Sequence, residues 1–471
     1  MRKILCVILV LGLVFTSGMG SFAAKGPVVN GPLESIKVVE VLTTAGAGYY
    51  GRNHVNGTTV TDDMRGMVRP GTDTLRAPYI EGPRELDDYH LAGIYGLAGV
   101  PYEISELILT EAAAEKKYGA DYPKYQALAK ELSDEVYNGL TNGQGVFVVG
   151  TNCAPAVGVA GGIRRAYGDD TKLGIIYLDA HGDINTRYST FSGSMGGMDL
   201  APIVGLDQED WWAAACGGEM KPFDASLHGC GRDLDSGIDA TSGQPFGEMI
   251  NLNQAGTIVA TTADFNNEAI WSAKLKEFAD KVDVIYLHID ADVVDNAFIP
   301  NVNTPEPGGP DIWTVMKNIK SIMDTDKVAV VKLASVYFGR EYNASQLLQR
   351  GFVFPAVPGE TAQQASNRAS QIAILTGIRM ISTAFVNWTD IPAVGASGPV
   401  ATPSAFVTKL NGNQNDLTIS VKEVYANGKV NTVTATFKIN NNAAGTYKVG
   451  DYKVYVDTKG NTQINAIYIV N

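Results

Sequence analysis

Apolar positions along this chain come in two rhythms, and the change from one to the other divides it. Up to about residue 390, short unbroken apolar runs alternate with longer stretches of helical periodicity. Lys37-Val38-Val39-Glu40-Val41-Leu42, Gly145-Val146-Phe147-Val148-Val149-Gly150, Leu173-Gly174-Ile175-Ile176-Tyr177-Leu178 and Val284-Ile285-Tyr286-Leu287-His288-Ile289 each have the length of a strand. With little polar alternation, they suit strands covered on both faces. Residues 105–118 and 122–137 show helical spacing with mixed charge, and Val157 to Tyr167 follows the second apolar run as a helix would. This alternation predicts an α/β fold, a parallel sheet with helices on both faces. Such sheets bind ligands beyond the C-terminal ends of their strands.

After Trp388 the rhythm becomes two-fold. A stretch rich in Gly, Pro, Ala and Ser, residues 393–404, reads as a linker. Beyond it, Leu417–Val421, Thr432–Phe437, Tyr452–Val456 and Ile464–Val470 alternate apolar and polar residues between Gly and Asn turns. Residues 405–471 therefore form a small all-β module. It contains neither His nor Cys, and no chemistry is visible in it.

The opening residues belong to neither part. Arg2 and Lys3 precede an apolar run from Ile4 to Phe15, and Ser21-Phe22-Ala23 offers small residues for cleavage after Ala23. A run of about twelve apolar residues is too short to span a bilayer, so residues 1–23 read as a secretory signal peptide. The expectation is an exported protein, whether secreted, periplasmic or cell-surface, with no transmembrane segment after cleavage. Residues 24–392 remain for the α/β domain. A net charge of −13 without a basic cluster argues against nucleic acid as a partner.

Three cysteines outlast the leader: Cys153, Cys216 and Cys230. A Cys216–Cys230 disulfide would close a short loop and leave Cys153 as an odd thiol.

The chemistry lies at the ends of the apolar runs. Asp179, His181 and Asp183 alternate directly after Leu178, so an extended backbone throws all three to one side. Asp290 and Asp292 follow the run that begins at Val284. Single Asp-x-Asp pairs commonly cap helices or meet solvent. Two such clusters at the ends of buried strands are different, because gathered carboxylates repel one another and call for cations. Five oxygen and imidazole ligands suit a pair of hard divalent ions such as Mn²⁺. His54 and His90 read as solvated loop histidines, and His228 as structural.

These motifs carry a family resemblance. Asp179-Ala180-His181-Gly182-Asp183-Ile184-Asn185 resembles the Asp-Ala-His-x-Asp signature of the arginase, agmatinase and formiminoglutamase (ureohydrolase) family. His288-Ile289-Asp290-Ala291-Asp292-Val293-Val294-Asp295 resembles that family's Ser-Phe-Asp-x-Asp-x-x-Asp, and Pro300, Thr304-Pro305 and Gly308-Gly309 keep the order of its next loop. Gly231-Arg232-Asp233-Leu234-Asp235 is similar to its Gly-x-Arg-Asp-x-Asp stretch. The resemblance covers most of residues 35–385. It implies a three-layer α/β/α domain around a mainly parallel sheet.

It also implies a binuclear Mn²⁺ site. Asp179 and Asp290 would bridge the ions, His181 and Asp292 would complete one, and Asp183 the other. A hydroxide held between them and oriented by Asp183 would attack a guanidino or amidine carbon. Asn185, Ser192 and Asp235 match positions that hold the substrate's amino-acid end. Relatives often form trimers or hexamers, so a homo-oligomer is expected.

Four positions depart from the family pattern. Cys153, in Gly150-Thr151-Asn152-Cys153, stands where the family has a metal-binding His, and thiolate suits Zn²⁺ or Fe²⁺ better than Mn²⁺. An inert core cysteine is the other reading, and both stay open. Gly196 falls where arginases place a proton-relaying His, and Ser335 where they grip the guanidinium with a Glu. His288 stands where the family has Ser. It reads as a buried histidine bonded to a carboxylate, or as a replacement ligand. The expected protein is therefore a metal-dependent hydrolase of a linear amidine or guanidino C–N bond in a small molecule. The alternative is a weak or inactive binding protein on the same fold.

Overall fold

The structure, a computed structural model, describes residues 30–43, 92–109, 122–150, 152–190, 194–207, 209–238, 243–302, 304–336, 353–394, 404–412, 416–424, 430–438, 444–450, 452–459 and 463–470. The predicted signal peptide, His54, His90, Ser192 and most of the predicted linker lie outside these residues.

Eight strands build the main sheet: β1 (Ile36–Thr43), β2 (Tyr102–Leu109), β3 (Gly145–Gly150), β4 (Leu173–Leu178), β5 (Ala225–Gly229), β6 (Ile258–Ala260), β7 (Val284–Asp290) and β8 (Val328–Ala334). Their order across the sheet is β2-β1-β3-β8-β7-β4-β5-β6, and every pairing is parallel. The sheet is thus wholly rather than mainly parallel. Every residue of β3, β4, β7 and β8 is buried, which is why these strands read as apolar runs.

Alternate residues feed opposite faces. Phe147, Ile176, Leu178, Leu287 and Leu333 join one core, together with Ile312, Ile319, Met380 and Phe385 of the helices Ile312–Met323 and Ala362–Val386. Val146, Val148, Ile175, Tyr286 and Val330 join the other, against Leu132, Val136, Val159 and Ile163 of the helices Tyr122–Thr141 and Ala156–Tyr167. The result is three layers. Helix Ala362–Val386 is long and apolar enough to cross a membrane, but more than half of its most apolar stretch is buried in this domain. Strands Asn30–Pro32 and Asp390–Pro392 pair antiparallel and bring the two ends of the α/β part together.

Two expectations fail. The first part of the expected 105–118 helix is strand β2, and residues 110–121 lie outside the described ones. The Cys216–Cys230 disulfide is absent, since both thiols are free and buried. Their side chains belong to cores on opposite faces of the sheet.

The C-terminal segments form two three-stranded antiparallel sheets, Ser404–Gly412 with Asp416–Val424 and Val430–Lys438, and Gly445–Val449 with Tyr452–Lys459 and Gln463–Val470. Leu417, Ile419, Val421, Val449, Val454 and Val456 make their shared core.

Candidate metal centre

The sheet order leaves β3, β8, β7 and β4 side by side at its middle. β3 leads to β4 by jumping across β8 and β7, so loops from the two halves diverge here and open a crevice above the C-terminal strand ends. Cys153 follows β3, Asp179 follows β4, Asp290 ends β7, and Ser335 follows β8. All four side chains are buried and meet. Cys153 Sγ lies 2.8 Å from Asp290 Oδ2 and 3.8 Å from Asp179 Oδ2, and the Ser335 hydroxyl donates to the same Asp290 oxygen.

His181 Nδ1 is 3.2 Å from both Asp179 Oδ1 and Asp292 Oδ2. The ring's other nitrogen points outward, 3.5 Å from Glu306 Oε1 and 3.9 Å from Asp233 Oδ2. Asp292 accepts from the Ala180 amide at 3.1 Å and from Thr304 Oγ1 at 2.6 Å. Arg232 fastens the Asp292 loop by donating to the carbonyls of Asp292, Val293 and Pro307. Asp183 Oδ2 accepts from Tyr177 Oη at 2.9 Å, and that hydroxyl also reaches Asp199 Oδ2 at 3.0 Å.

The backbone is bent to make these meetings. Asp183, Cys230 and Ser335 all have positive φ, at 47°, 75° and 64°. Left-handed backbone at residues other than glycine costs about 1 kcal/mol or more and gathers at functional sites. Gly182 is required for a different reason: a Cβ there would sit 2.7 Å from the side chain of Glu248.

Electrostatics describe the same place. Burial and the neighbouring carboxylates push Asp179 well up, Asp183 to about 6 and Asp290 to about 7. Burial also opposes the charge on Asp292, but His181 and Thr304 outweigh it and hold this carboxyl below the usual range. Burial likewise disfavours charge on His181, but Asp292 and Asp179 raise it well above the usual imidazole value. Burial first, then Asp290, Asp183 and Asp179, raise the Cys153 thiol. Protons thus do what divalent cations would do better, namely neutralise packed acidic donors.

Two sets of donor atoms lie close enough to grip an ion, within 4.8 Å of one another: Asp179, His181 and Asp292 in one, and Cys153, Asp179 and His288 in the other. They share Asp179. The donors present therefore fit a pair of divalent cations. Asp183 stands beside them, pinned by Tyr177. A third set, His181, Asp233 and Glu306, lies outward from the first.

Asn185 and Asp235 border the centre. Asn185 Nδ2 donates to Asp235 Oδ2 at 2.9 Å, while Ser189 Oγ donates to Asn185 Oδ1 at 3.0 Å. Glu248 accepts from the amides of Gly182 and Asp235, and burial followed by the Asp183 charge pushes it up to about 8. Gly196 stands in open space, where an added Cβ would meet only Ser194 Oγ at 3.8 Å.

Sequence reasoning missed Tyr177, Lys332 and Glu306. Tyr177 and Lys332 sit inside apolar runs, and Glu306 lies in a Pro-rich loop; no pattern marks them. Lys332 is fully buried on β8, and its Nζ donates to the Asn152 carbonyl at 2.9 Å, bracing the loop that carries Cys153. His288 does not take a carboxylate partner; its Nδ1 lies 3.2 Å from Tyr286 Oη.

A parallel sheet between two helical layers, with paired Asp motifs at its central strand ends, defines an α/β/α fold with a candidate metal site, and comparison makes it specific. A model of the arginase family matches residues 100–337, half of the chain. An arginase of Plasmodium berghei (strain Anka) is 28% identical over 199 residues, 40% of this chain and 52% of that protein. An arginase of Bacillus caldovelox is 30% identical over 183 residues, 38% of this chain and 57% of that one. The solved structure of Bacillus subtilis arginase superposes with a TM-score of 0.52 at 17% identity, covering 74% of this chain and 98% of that chain. The chain belongs to the arginase family. Its match spans about half the length of the curated relatives.

Proposed function

We propose that this chain is a metal-dependent hydrolase of a linear amidine or guanidino C–N bond in a small molecule, exported and acting as a homo-oligomer. The observation that carries the reading is the pair of donor sets meeting at Asp179 above the central strands. Two cations held there would activate water near neutral pH and polarise the substrate.

The side chains divide the remaining work. Asp179 is the shared ligand, with Asp290 beside it. His181 and Asp292 complete one set, and the Glu306 carboxylate lies 3.5 Å from the outer nitrogen of His181. Asp183, held by Tyr177 beside both donor sets, would accept the proton of the attacking water and return it to the departing nitrogen. An added Cβ at Gly197 would lie 4.0 Å from Asp183 Oδ1, so this carboxyl faces the segment where arginases place their relaying His. Asn185 and Asp235 offer a polar rim for the substrate's far end, with Ser192 expected to join them.

The second reading, a weak or inactive binding protein, rests on Gly196 and Ser335. Ser335 has no carboxylate to offer a cation and turns its hydroxyl onto Asp290 instead. The test loads the protein with Mn²⁺, Zn²⁺ or Fe²⁺, counts ions, and screens guanidino and amidine compounds for urea or ammonia release. Release by a two-ion form supports the hydrolase. Two ions with saturable binding and no release would favour the binding protein.

A further inference from the structure

The two halves of the proposed centre do not offer the same donors. Where the family supplies an imidazole from the loop after β3, this chain has the thiol of Cys153; where the family has Ser on β7, it has His288. These two departures meet. Cys153 Sγ, a carboxylate oxygen of Asp179 and a ring nitrogen of His288 lie within 4.8 Å of one another, with all three side chains buried. Asp290 Oδ2 is 2.8 Å from the same sulfur.

His288 is poised in the way a ligating histidine is. Its ring stacks on Tyr177 with centroids 4.1 Å apart and planes 5° from parallel. Nδ1 meets Tyr286 Oη, while Nε2, fully buried, has no hydrogen-bond partner among the described residues. A buried imidazole nitrogen without a partner carries an uncompensated desolvation penalty, which a cation on that nitrogen would remove. Donation from Nδ1–H to Tyr286 Oη would leave Nε2 as the acceptor nitrogen, the arrangement in which a ligating histidine is held by its outer partner.

The geometry points to a relocated ligand: the imidazole lost at position 153 returns from β7 as His288, and with Cys153, Asp179 and Asp290 it forms a sulfur- and nitrogen-bearing seat for Zn²⁺ or Fe²⁺. This inference rests on the two-ion reading above and deepens it. The centre is then unequal, with a thiolate–imidazole seat beside an Asp179–His181–Asp292 seat that suits Mn²⁺. Binding displaces the Sγ proton of Cys153 to solvent, so the donor is the thiolate.

The test uses Co²⁺, whose spectrum reports sulfur ligation without any assay of turnover. The full-length protein loaded with Co²⁺ should bind two ions and show a near-ultraviolet thiolate-to-Co²⁺ charge-transfer band. Cys153→Ser should abolish that band. His288→Ser, which installs the family's own residue, should weaken Zn²⁺ binding at least about ten-fold while one Mn²⁺ per chain still binds. Asp292→Asn should lose the other ion and keep the band. Circular dichroism checks that each variant is folded. Two Co²⁺ ions without the band, or unchanged Zn²⁺ affinity in folded His288→Ser, would overturn the relocation and leave the hydrolase reading standing. No bound ion at all would overturn both.

Discussion

The two donor sets that share Asp179 differ in what supports them. Around His181 and Asp292 the partners are polar: Thr304 and the Ala180 amide donate to Asp292, and the Glu306 and Asp233 carboxylates lie 3.5 and 3.9 Å from the outer nitrogen of His181. Around Cys153 and His288 an aromatic face and a cation join the hydrogen bonds: Tyr177 stacks on the imidazole, Tyr286 Oη meets its Nδ1, and Lys332 braces the cysteine loop. The first set keeps the family's residues, and the second has exchanged them. A set with two carboxylates and one imidazole suits a harder ion, while a set that includes a thiolate suits a softer one. Divergence in this chain is therefore concentrated on one side of the centre.

The change that should disturb the comparison most is Asp179→Asn, which strikes the shared ligand. Elemental analysis should fall from two ions per chain to fewer than one, with hydrolysis lost. If both ions stayed, the two sets would not be joined through this residue.

Thr304→Ala acts on one side only. It removes the 2.6 Å bond to Asp292 and should weaken the oxygen-rich seat by about 10–100-fold, leaving the cysteine side unchanged. An equal loss at both seats, measured by calorimetric titration, would erase the distinction.

Gly196→His tests the missing relay. The open space at Gly196 admits a side chain, so turnover of a guanidino substrate should rise, by about ten-fold or more if proton transfer limits it. A rise that brought in a new pH dependence in the imidazole range would show the new side chain taking over proton transfer.

The smallest effect concerns the metal-free protein. Asp183 and Asp290 move from 3.8 to about 6 and about 7 on folding, so the folded state holds protons that the unfolded chain releases. Stability then falls as pH rises from about 4 through 7. Asp292 moves the other way, and its contribution, present above 3.8, is lost at lower pH. Thermal melts of metal-free protein should therefore weaken between pH 4 and 7, and added metal should flatten that slope. A melting temperature that rose over the same window would contradict the acid crowding.

Much of this architecture was legible because burial on both faces leaves strands no choice of composition. Gly145–Gly150 and Leu173–Leu178 appear in the structure with the bounds their apolar runs set, and the C-terminal strands follow the two-fold alternation. The β2 strand was illegible because Tyr102-Glu103-Ile104-Ser105-Glu106-Leu107 lies at the sheet edge, where mixed polarity imitates a helix face. The disulfide expectation failed because separation along the chain says nothing about which face of a sheet a thiol joins. In the centre, spacing marked the residues after β4 and at the end of β7. It could not mark Tyr177 and Lys332, which flank His288 in register on β4 and β8 and become its neighbours only when those strands align.

Inequality of the two seats shows in the order in which Zn²⁺ displaces Mn²⁺, since Zn²⁺ binds more tightly than Mn²⁺ at nitrogen, oxygen and sulfur sites alike. Metal-free protein held in excess Mn²⁺ would be titrated with Zn²⁺, desalted at each step, and both elements counted per chain. A plateau at one Zn²⁺ and one Mn²⁺, well before Zn²⁺ fills both seats, is expected. Zn²⁺ entering both seats in a single step would show that the seats are alike.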